Sequence, residues 1–160
     1  GIDVAALIGL KDRGGSVCDT ARGDKLERDA VIGIECDILI PAARPDVVRA
    51  DNVAKLRTRL VLQGANIPFT GEAEQTLHAS GVMVVPDFIA NAGGVICAAM
   101  EYAGATQRAA FDAIGEKIRA NTEAVLREVK EQGRLPREAA VDLATRRVRE
   151  AMALRRFSIM

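Results

Sequence analysis

Tryptophan is absent from the 160 residues of this chain, and aromatic residues make up only 3% of it. Base stacking on aromatic faces is therefore not available as a way to hold nucleic acid. A core so poor in rings must be built from Ala, Val, Leu and Ile, as helix and parallel-sheet interfaces usually are. An excess of one charge is lacking too: 22 Lys and Arg balance 22 Asp and Glu, so no basic field gathers polyanions. Nucleic acid is excluded as a partner, and small molecules or other protein surfaces remain. Cys18, Cys36 and Cys97 stand far apart without a CxxC pair or a nearby histidine, which gives no metal-ligand spacing. They read as reduced, mostly buried thiols. No apolar run approaches the ~18 residues of a membrane span, and no charged-then-apolar leader opens the sequence. The reading is a cytoplasmic chain with no membrane contact and no metal.

What is present is a length that suits one domain and a 49% apolar content that is ample for a core. Val4, Ala5, Leu7, Ile8 and Leu10 share a helix-like face that ends at Gly14-Gly15, and a brief extended segment is expected around Ser16-Val17-Cys18. Residues 19–35 are polar, with scattered Ile and Val, and read as loop with at most one helical turn. Three short apolar runs follow: Cys36 to Ile40 closed by Pro41, Leu60 to Gln63 closed by Gly64, and Val82 to Val85 closed by Pro86. Each ends in a residue that breaks a ladder. Val48 to Lys55 and Gly71 to Ser80 fall between them as crossover helices, so the order predicts a parallel sheet. After Asn91 the pattern is helical up to Gly133 and Pro136, with Phe111, Ile114, Ile118, Val125 and Val129 mostly at three- or four-residue steps or one heptad apart. A last helix is expected from about Arg137 to Arg155, with Ala140, Leu143, Ala144, Val148, Ala151 and Met152 on its apolar stripe.

The three strand ends carry small and amide residues. Pro41-Ala42-Ala43 is a turn almost without side chains, Gly64-Ala65-Asn66 places an amide after a glycine, and Asn91-Ala92-Gly93-Gly94-Val95 places one before two glycines. In a parallel sheet the C-terminal strand ends open onto one edge, where open α/β sheets bind ligands. An asparagine offers two donors and one acceptor in a plane, which suits ribose hydroxyls or a carboxamide. Glycines let backbone approach a flat ligand closely. Each turn also has a structural reading on its own, because Asn caps helices and glycine relieves tight packing. Their recurrence on three successive strands is what favours a shared site.

Gln63-Gly64-Ala65-Asn66, followed by Pro68, Thr70, Glu72, Ala73 and Leu77, then Val84-Val85-Pro86-Asp87 and Asn91 to Val95, closely resembles the nucleotide-binding domain of glutamate dehydrogenases. The likeness runs from Gly1 through both C-terminal helices and includes Asp37 to Ala43. The related leucine, valine and phenylalanine dehydrogenases share the Asn91 to Val95 pattern but fit Gln63 to Glu72 less well. The resemblance implies the C-terminal part of a partial Rossmann-like, doubly wound α/β domain: a parallel sheet of three to four strands followed by two long helices, occupying residues 1–160 as one unit. It implies oxidative deamination of an L-amino acid to its 2-oxo acid and ammonia, with hydride passing to NAD or NADP. Ala42 and Ala43 would border the cofactor ribose, Asn66 the nicotinamide ribose, and Asn91 the nicotinamide carboxamide. Gly93 and Gly94 would permit close approach, and Val95 and Ala98 would border the substrate side chain.

Ala98 stands where the family commonly has a serine that hydrogen-bonds the distal carboxylate of glutamate, and alanine has no side-chain donor, which leaves the amino acid open. The GxGxxG turn and its acidic follower are not in the sequence, nor are the family's catalytic lysines, so cofactor binding by this chain is expected to be weak or absent. Lys11, Lys25, Lys55, Lys117, Lys130 and His78 read as solvated, and Cys97 as a packed residue rather than a nucleophile. The basic run Arg146, Arg147, Arg149, Arg155 and Arg156 reads as a solvated helix face or a former inter-domain surface. Two readings stand: a piece of an amino-acid dehydrogenase, towards which Gly1 leans, and a free-standing oligomerisation or regulatory module derived from that domain. By resemblance, the family's first two strands would lie between the strand near Val17 and the strand at Ile38 to Ile40, so that a long edge is left open here; it is expected to be covered by a second copy, an exchanged segment or the N-terminal piece moving inward, with self-association as a homo-oligomer favoured.

Overall fold

The structure, a computed structural model, describes residues 2–154; Arg155 and Arg156 of the basic run lie outside them. Three short strands, β1 (Ile38–Leu39), β2 (Leu60–Leu62) and β3 (Met83–Val85), form one parallel sheet in the order β1-β2-β3. Leu60 pairs with both Ile38 and Met83, and Leu62 with Val85. Six α-helices accompany the sheet: α1 (Val4–Asp12), α2 (Gly71–Ala79), α3 (Asp87–Ala90), α4 (Gly93–Tyr102), α5 (Gln107–Gln132) and α6 (Pro136–Ala153).

Successive strand residues point to opposite faces, and here each face meets its own core. Val61 and Val84 join Val48, Val53, Phe69, Ala73 and Leu77 on the α2 side. Val85, with Leu60 and Leu62 alongside, packs against Ile89, Val125, Ala139, Ala140 and Leu143 of α3, α5 and α6. Cover on both faces explains why the strands are continuous apolar runs rather than alternating ones. It also makes the α/β layering doubly wound.

Several sequence expectations are corrected. No strand forms at Ser16 to Cys18. The Ser16 hydroxyl accepts from Cys18 N at 3.2 Å and Asp19 Oδ2 accepts from Ser16 N at 2.7 Å, a reciprocal cap that starts a 3₁₀ turn at Val17–Asp19 instead. The sheet therefore has three strands. Residues 48–55 are not a crossover helix. Val48 bridges in parallel to Phe69, and Asn52 bonds its own loop, accepting from Arg49 N at 2.8 Å and donating to Val47 O at 3.0 Å. Such local side-chain bonds compete with helix, and only Val53–Lys55 forms a 3₁₀ turn. The long helix after Asn91 is broken: Gly104 adopts φ +72, and Thr106 caps the next helix by accepting from Ala109 N at 3.3 Å.

The last helix opens at Pro136, a favoured first position. Its stripe is buried only at the start: Ala140 and Leu143 are in the core, whereas Val148 is 58% and Met152 64% exposed. Phe111 on α5 is exposed as well. None of the thiols is buried; Cys18 is exposed and Cys36 and Cys97 are half-buried. The open edge at β1 is short, because Pro41 follows almost at once. The described helices include none long and apolar enough to cross a membrane.

Candidate functional site at the strand ends

The turn after β1 closes onto the turn after β2. Ala65 N donates to Pro41 O at 2.9 Å, and beyond that bond the two loops keep pairing, with Asp46 N donating to Ile67 O at 3.0 Å and Val48 N to Pro68 O at 3.0 Å. Both loops pass through a left-handed residue, Asp46 at φ +50 and Ile67 at φ +47. For a β-branched residue this is a strained conformation.

The turn after β3 then joins the other two. Asn91 is the C-cap of α3 rather than the N-cap of α4, so its side chain is free to reach sideways. Its Nδ2 donates to Asn66 Oδ1 at 2.8 Å and reaches Gly64 O at 3.4 Å. Both amide hydrogens of Asn91 are thereby used. Among the described residues, Asn91 Oδ1 and Asn66 Nδ2 have no protein partner, so the rim offers one acceptor and one donor group. Ala42 lies against the Gly64 backbone, since a Cβ built on Gly64 would meet Ala42 Cβ at 3.1 Å. Ala43 follows on the exposed loop. Ala42, Gly64, Asn66 and Asn91 thus share one rim.

The glycines divide into two kinds. Gly64 is closely packed by the fold, because an added Cβ would press on Ala42 and Ile40 of the β1 turn at 3.1 and 3.3 Å. Gly93 and Gly94 are not: a Cβ on Gly93 would make an ordinary 3.6 Å contact with Ile114, and one on Gly94 would meet nothing. Neither has a positive φ. At Gly94, three residues after Asn91, the fold leaves open space. Val95, 77% exposed, and Ala98 lie one turn apart on α4 and face away from the core.

Asn66, Asn91 and Val95 border a groove of about 660 Å³ whose far wall is α5 with Arg147 of α6, a size usual for small-molecule sites. Arg147 Nη1 donates to Asn121 Oδ1 at 2.7 Å on that wall. A larger groove, about 860 Å³, lies away from the rim between β3 and α5.

Beneath the rim sits a polar cluster that sequence reasoning assigned no role. Gln63 is fully buried, and Glu74 and Asp87 nearly so. Arg137 Nε donates to Glu74 Oε1 and Oε2 at 2.9 and 2.7 Å, and Arg137 Nη2 donates to Gln63 Oε1 at 2.9 Å. Arg137 Nη1 stands 3.0 Å from Asp87 Oδ1, off-line for a hydrogen bond, so that contact acts as a charge pair. Gln63 Nε2 donates to Glu74 Oε1 at 2.8 Å, and Asp87 N to Gln63 Oε1 at 3.1 Å. The bonds to Glu74, then the fields of Glu74 and Asp87, hold the Arg137 guanidinium above its ordinary pKa against the opposing effect of burial. One signal was available: Arg137 stands in the first turn of a helix, where the macrodipole disfavours a cation.

The remaining candidates are brought to no common place. His78 is half-buried and its Nε2 meets Gly133 O at 3.1 Å, tying the end of α2 to the cap of α5. The five lysines singled out from the sequence are exposed. At Cys97, partial desolvation and then the Glu101 carboxylate push the thiol above its ordinary pKa, the reverse of what a nucleophile needs. The described residues contain no cluster of three or more His, Cys, Asp and Glu able to hold a metal.

The family model for Glutamate/Leucine/Phenylalanine/Valine dehydrogenase matches residues 1–156. A glutamate dehydrogenase of Aeropyrum pernix is 33% identical over 165 residues, covering 97% of this chain and 40% of the relative. An NADP(+)-dependent glutamate dehydrogenase of Pyrobaculum calidifontis is 41% identical over 143 residues, covering 83% of this chain and 34% of the relative. Among solved structures, a hetero-hexameric glutamate dehydrogenase of Thermus thermophilus, in a Leu-bound form, superposes with a TM-score of 0.80 at 25% identity over 99% of this chain and 39% of its own. L-tryptophan dehydrogenase of Nostoc punctiforme gives a TM-score of 0.73 at 26% identity over 80% of this chain and 38% of its own. The chain spans less than half the length of each of these relatives.

Proposed function

The chain belongs to the Glutamate/Leucine/Phenylalanine/Valine dehydrogenase family, and on that footing we propose that its strand-end rim is the nicotinamide side of an NAD(P)-dependent amino-acid dehydrogenase. Residues 1–160 would act as one unit, the C-terminal part of the dinucleotide-binding domain. The reaction is the oxidative deamination of L-glutamate or a related L-amino acid to its 2-oxo acid and ammonia. When bound, the nicotinamide supplies the hydride acceptor.

The observation that carries the reading is the Asn91–Asn66 hydrogen bond at 2.8 Å. With the bond to Gly64 O it spends the Asn91 donors internally and leaves Oδ1 without a protein partner, an acceptor for the amino group of a carboxamide. Asn66 Nδ2 remains a donor for a ribose hydroxyl. The vacancy at Gly94 gives a flat ring room to approach, and Ala42 and Ala43 keep the neighbouring turn free of bulk. Val95 and Ala98 contribute an apolar wall on which a substrate side chain can lie. Neither supplies a hydrogen bond, so recognition of an acidic side chain would have to come from elsewhere.

None of the residues at this rim moves a proton in the reaction. The chain's part is to bind and orient, and on its own it would hold NAD or NADP weakly and turn over nothing. The test is a titration followed by NADH or NADPH fluorescence, comparing the chain with Asn91→Ala. Losing the carboxamide contact removes about 1.4 kcal/mol, roughly tenfold in affinity. Equal affinity in both proteins would refute the assignment of Asn91.

The exposed Ile38 and Ile40 at the β1 edge support self-association with a second copy of the chain, and a cytoplasmic location accords with this chemistry. Light scattering tests the former: a monomer across the micromolar range would refute it. A free-standing oligomerisation or regulatory module predicts self-association without any dinucleotide binding, so the two experiments together separate the readings.

A further inference from the structure

Arg137 stands 74 positions from Gln63, on a different helix from every residue of the rim, yet it closes the only buried charge cluster among the described residues. Its guanidinium is shared between three side chains from three elements: Gln63 at the end of β2, Glu74 on α2 and Asp87 at the start of α3. Phe88 covers it, with the guanidinium carbon 5.8 Å from the ring centroid. A carboxylate pair this deeply buried needs that cation, because uncompensated burial of charge is costly.

The cluster reaches the strand-end loop through Asp87. Asp87 Oδ2 accepts from Ile67 N at 2.8 Å, and Ile67 is the exposed, left-handed residue that directly follows Asn66. Ile67 is 57% exposed, so burial of its side chain does not hold its strained backbone. Two backbone ties flank it instead: its amide donates to the buried Asp87 carboxylate at 2.8 Å, and its carbonyl accepts from Asp46 N at 3.0 Å. The same cluster joins the ends of β2 and β3, as Asp87 N donates to Gln63 Oε1 at 3.1 Å, and these are the strand ends that carry Asn66 and Asn91.

We propose that Arg137 is a positioning residue for the rim: by fixing Asp87 it holds Ile67 left-handed, and so sets Asn66 within hydrogen-bonding distance of Asn91. Arg137 touches no ligand in this scheme. It acts through two intermediates, and it makes the rim geometry depend on how the first turn of α6 is seated. Lysine cannot replace it, because a single ammonium cannot meet three acceptors in the plane that a guanidinium spans.

The experiment uses the chain without any dinucleotide, so its outcome is independent of whether the rim binds a nicotinamide. Isotope-labelled wild type, Arg137→Lys and Asp87→Asn are compared by NMR. The three-bond HN–Hα coupling of Ile67 reports its φ, and the side-chain amide shifts of Asn66 and Asn91 report their bond. In Arg137→Lys the coupling moves towards that of an extended residue and the Asn91 amide shifts towards the solvated value, while the helix signals of α5 stay in place. Asp87→Asn, which keeps an oxygen acceptor but lacks the charge that Arg137 grips, shows the same change in smaller degree. Unchanged Ile67 coupling and Asn66 and Asn91 shifts in a folded Arg137→Lys protein would overturn the proposal. If Arg137→Lys does not fold, Asp87→Asn decides alone by the same signals.

Discussion

The Cβ that an alanine would carry at position 64 falls 3.1 Å from Cβ of Ala42 and 3.3 Å from Cγ2 of Ile40. The glycine is what lets the β1 turn close over the β2 turn and bring Pro41 O within reach of Ala65 N. Gly64→Ala crowds the Ala42 and Ile40 side chains, which must give by a few tenths of an ångström, and a loss of about 1 kcal/mol is expected from overpacking of this kind. Gly94→Ala meets open space in the first turn of α4 and gains up to about 1 kcal/mol from helix propensity. Urea unfolding of both variants should give changes of opposite sign. If NADH is bound as proposed, its affinity falls in Gly94→Ala even as stability rises.

Ile67 offers a second test of where the strain lies. A left-handed backbone costs an ordinary residue about 1–2 kcal/mol, and asparagine tolerates it better. Because the side chain is largely exposed, little apolar burial is lost on changing it. Ile67→Asn should therefore stabilise the chain by roughly 1 kcal/mol. A loss of stability would mean that the isoleucine side chain, not the turn geometry, is what the site uses.

Cys97 should behave as an unreactive thiol. Partial desolvation and the neighbouring Glu101 raise its pKa, so less of it is thiolate near about pH 8 than in an unperturbed cysteine. With limiting iodoacetamide, mass spectrometry should find the exposed Cys18 alkylated well before Cys97. Substituting Glu101→Gln should raise the rate at Cys97, since the acid contributes both by its charge and by accepting from the sulfur at 3.7 Å. Faster labelling of Cys97 than of Cys18 would contradict this.

The sheet was readable because each strand is a short apolar run closed by Pro or Gly, and because cover on both faces removes the need for alternation. The meeting of Asn66 with Asn91 followed from the same logic, since parallel strands present their C-terminal ends together. What could not be read depends on side chains that bond locally or at long range. Asn52 reads as an ordinary helix residue until its amide is seen to hold its own loop. Ser16 and Asp19 cap a 3₁₀ turn where the apolar neighbours suggest a strand. Periodicity placed Val148 and Met152 on a stripe but could not say that the packing surface ends near Leu143. Arg137 was the least visible, because its three partners lie 50 to 74 positions away, and only its place in a helix first turn hinted at them.

The central claim is that the rim made by Ala42, Gly64, Asn66 and Asn91 receives a nicotinamide ring that approaches over Gly94, and intermolecular NOEs between NADH and the isotope-labelled chain test it most directly. Cross-peaks from the nicotinamide protons to the Asn91 side-chain amide and to Gly94 Hα, weakened in Asn91→Ala, are the predicted result. Saturating dinucleotide that gives cross-peaks only to residues away from the strand ends, or none at all, would contradict it.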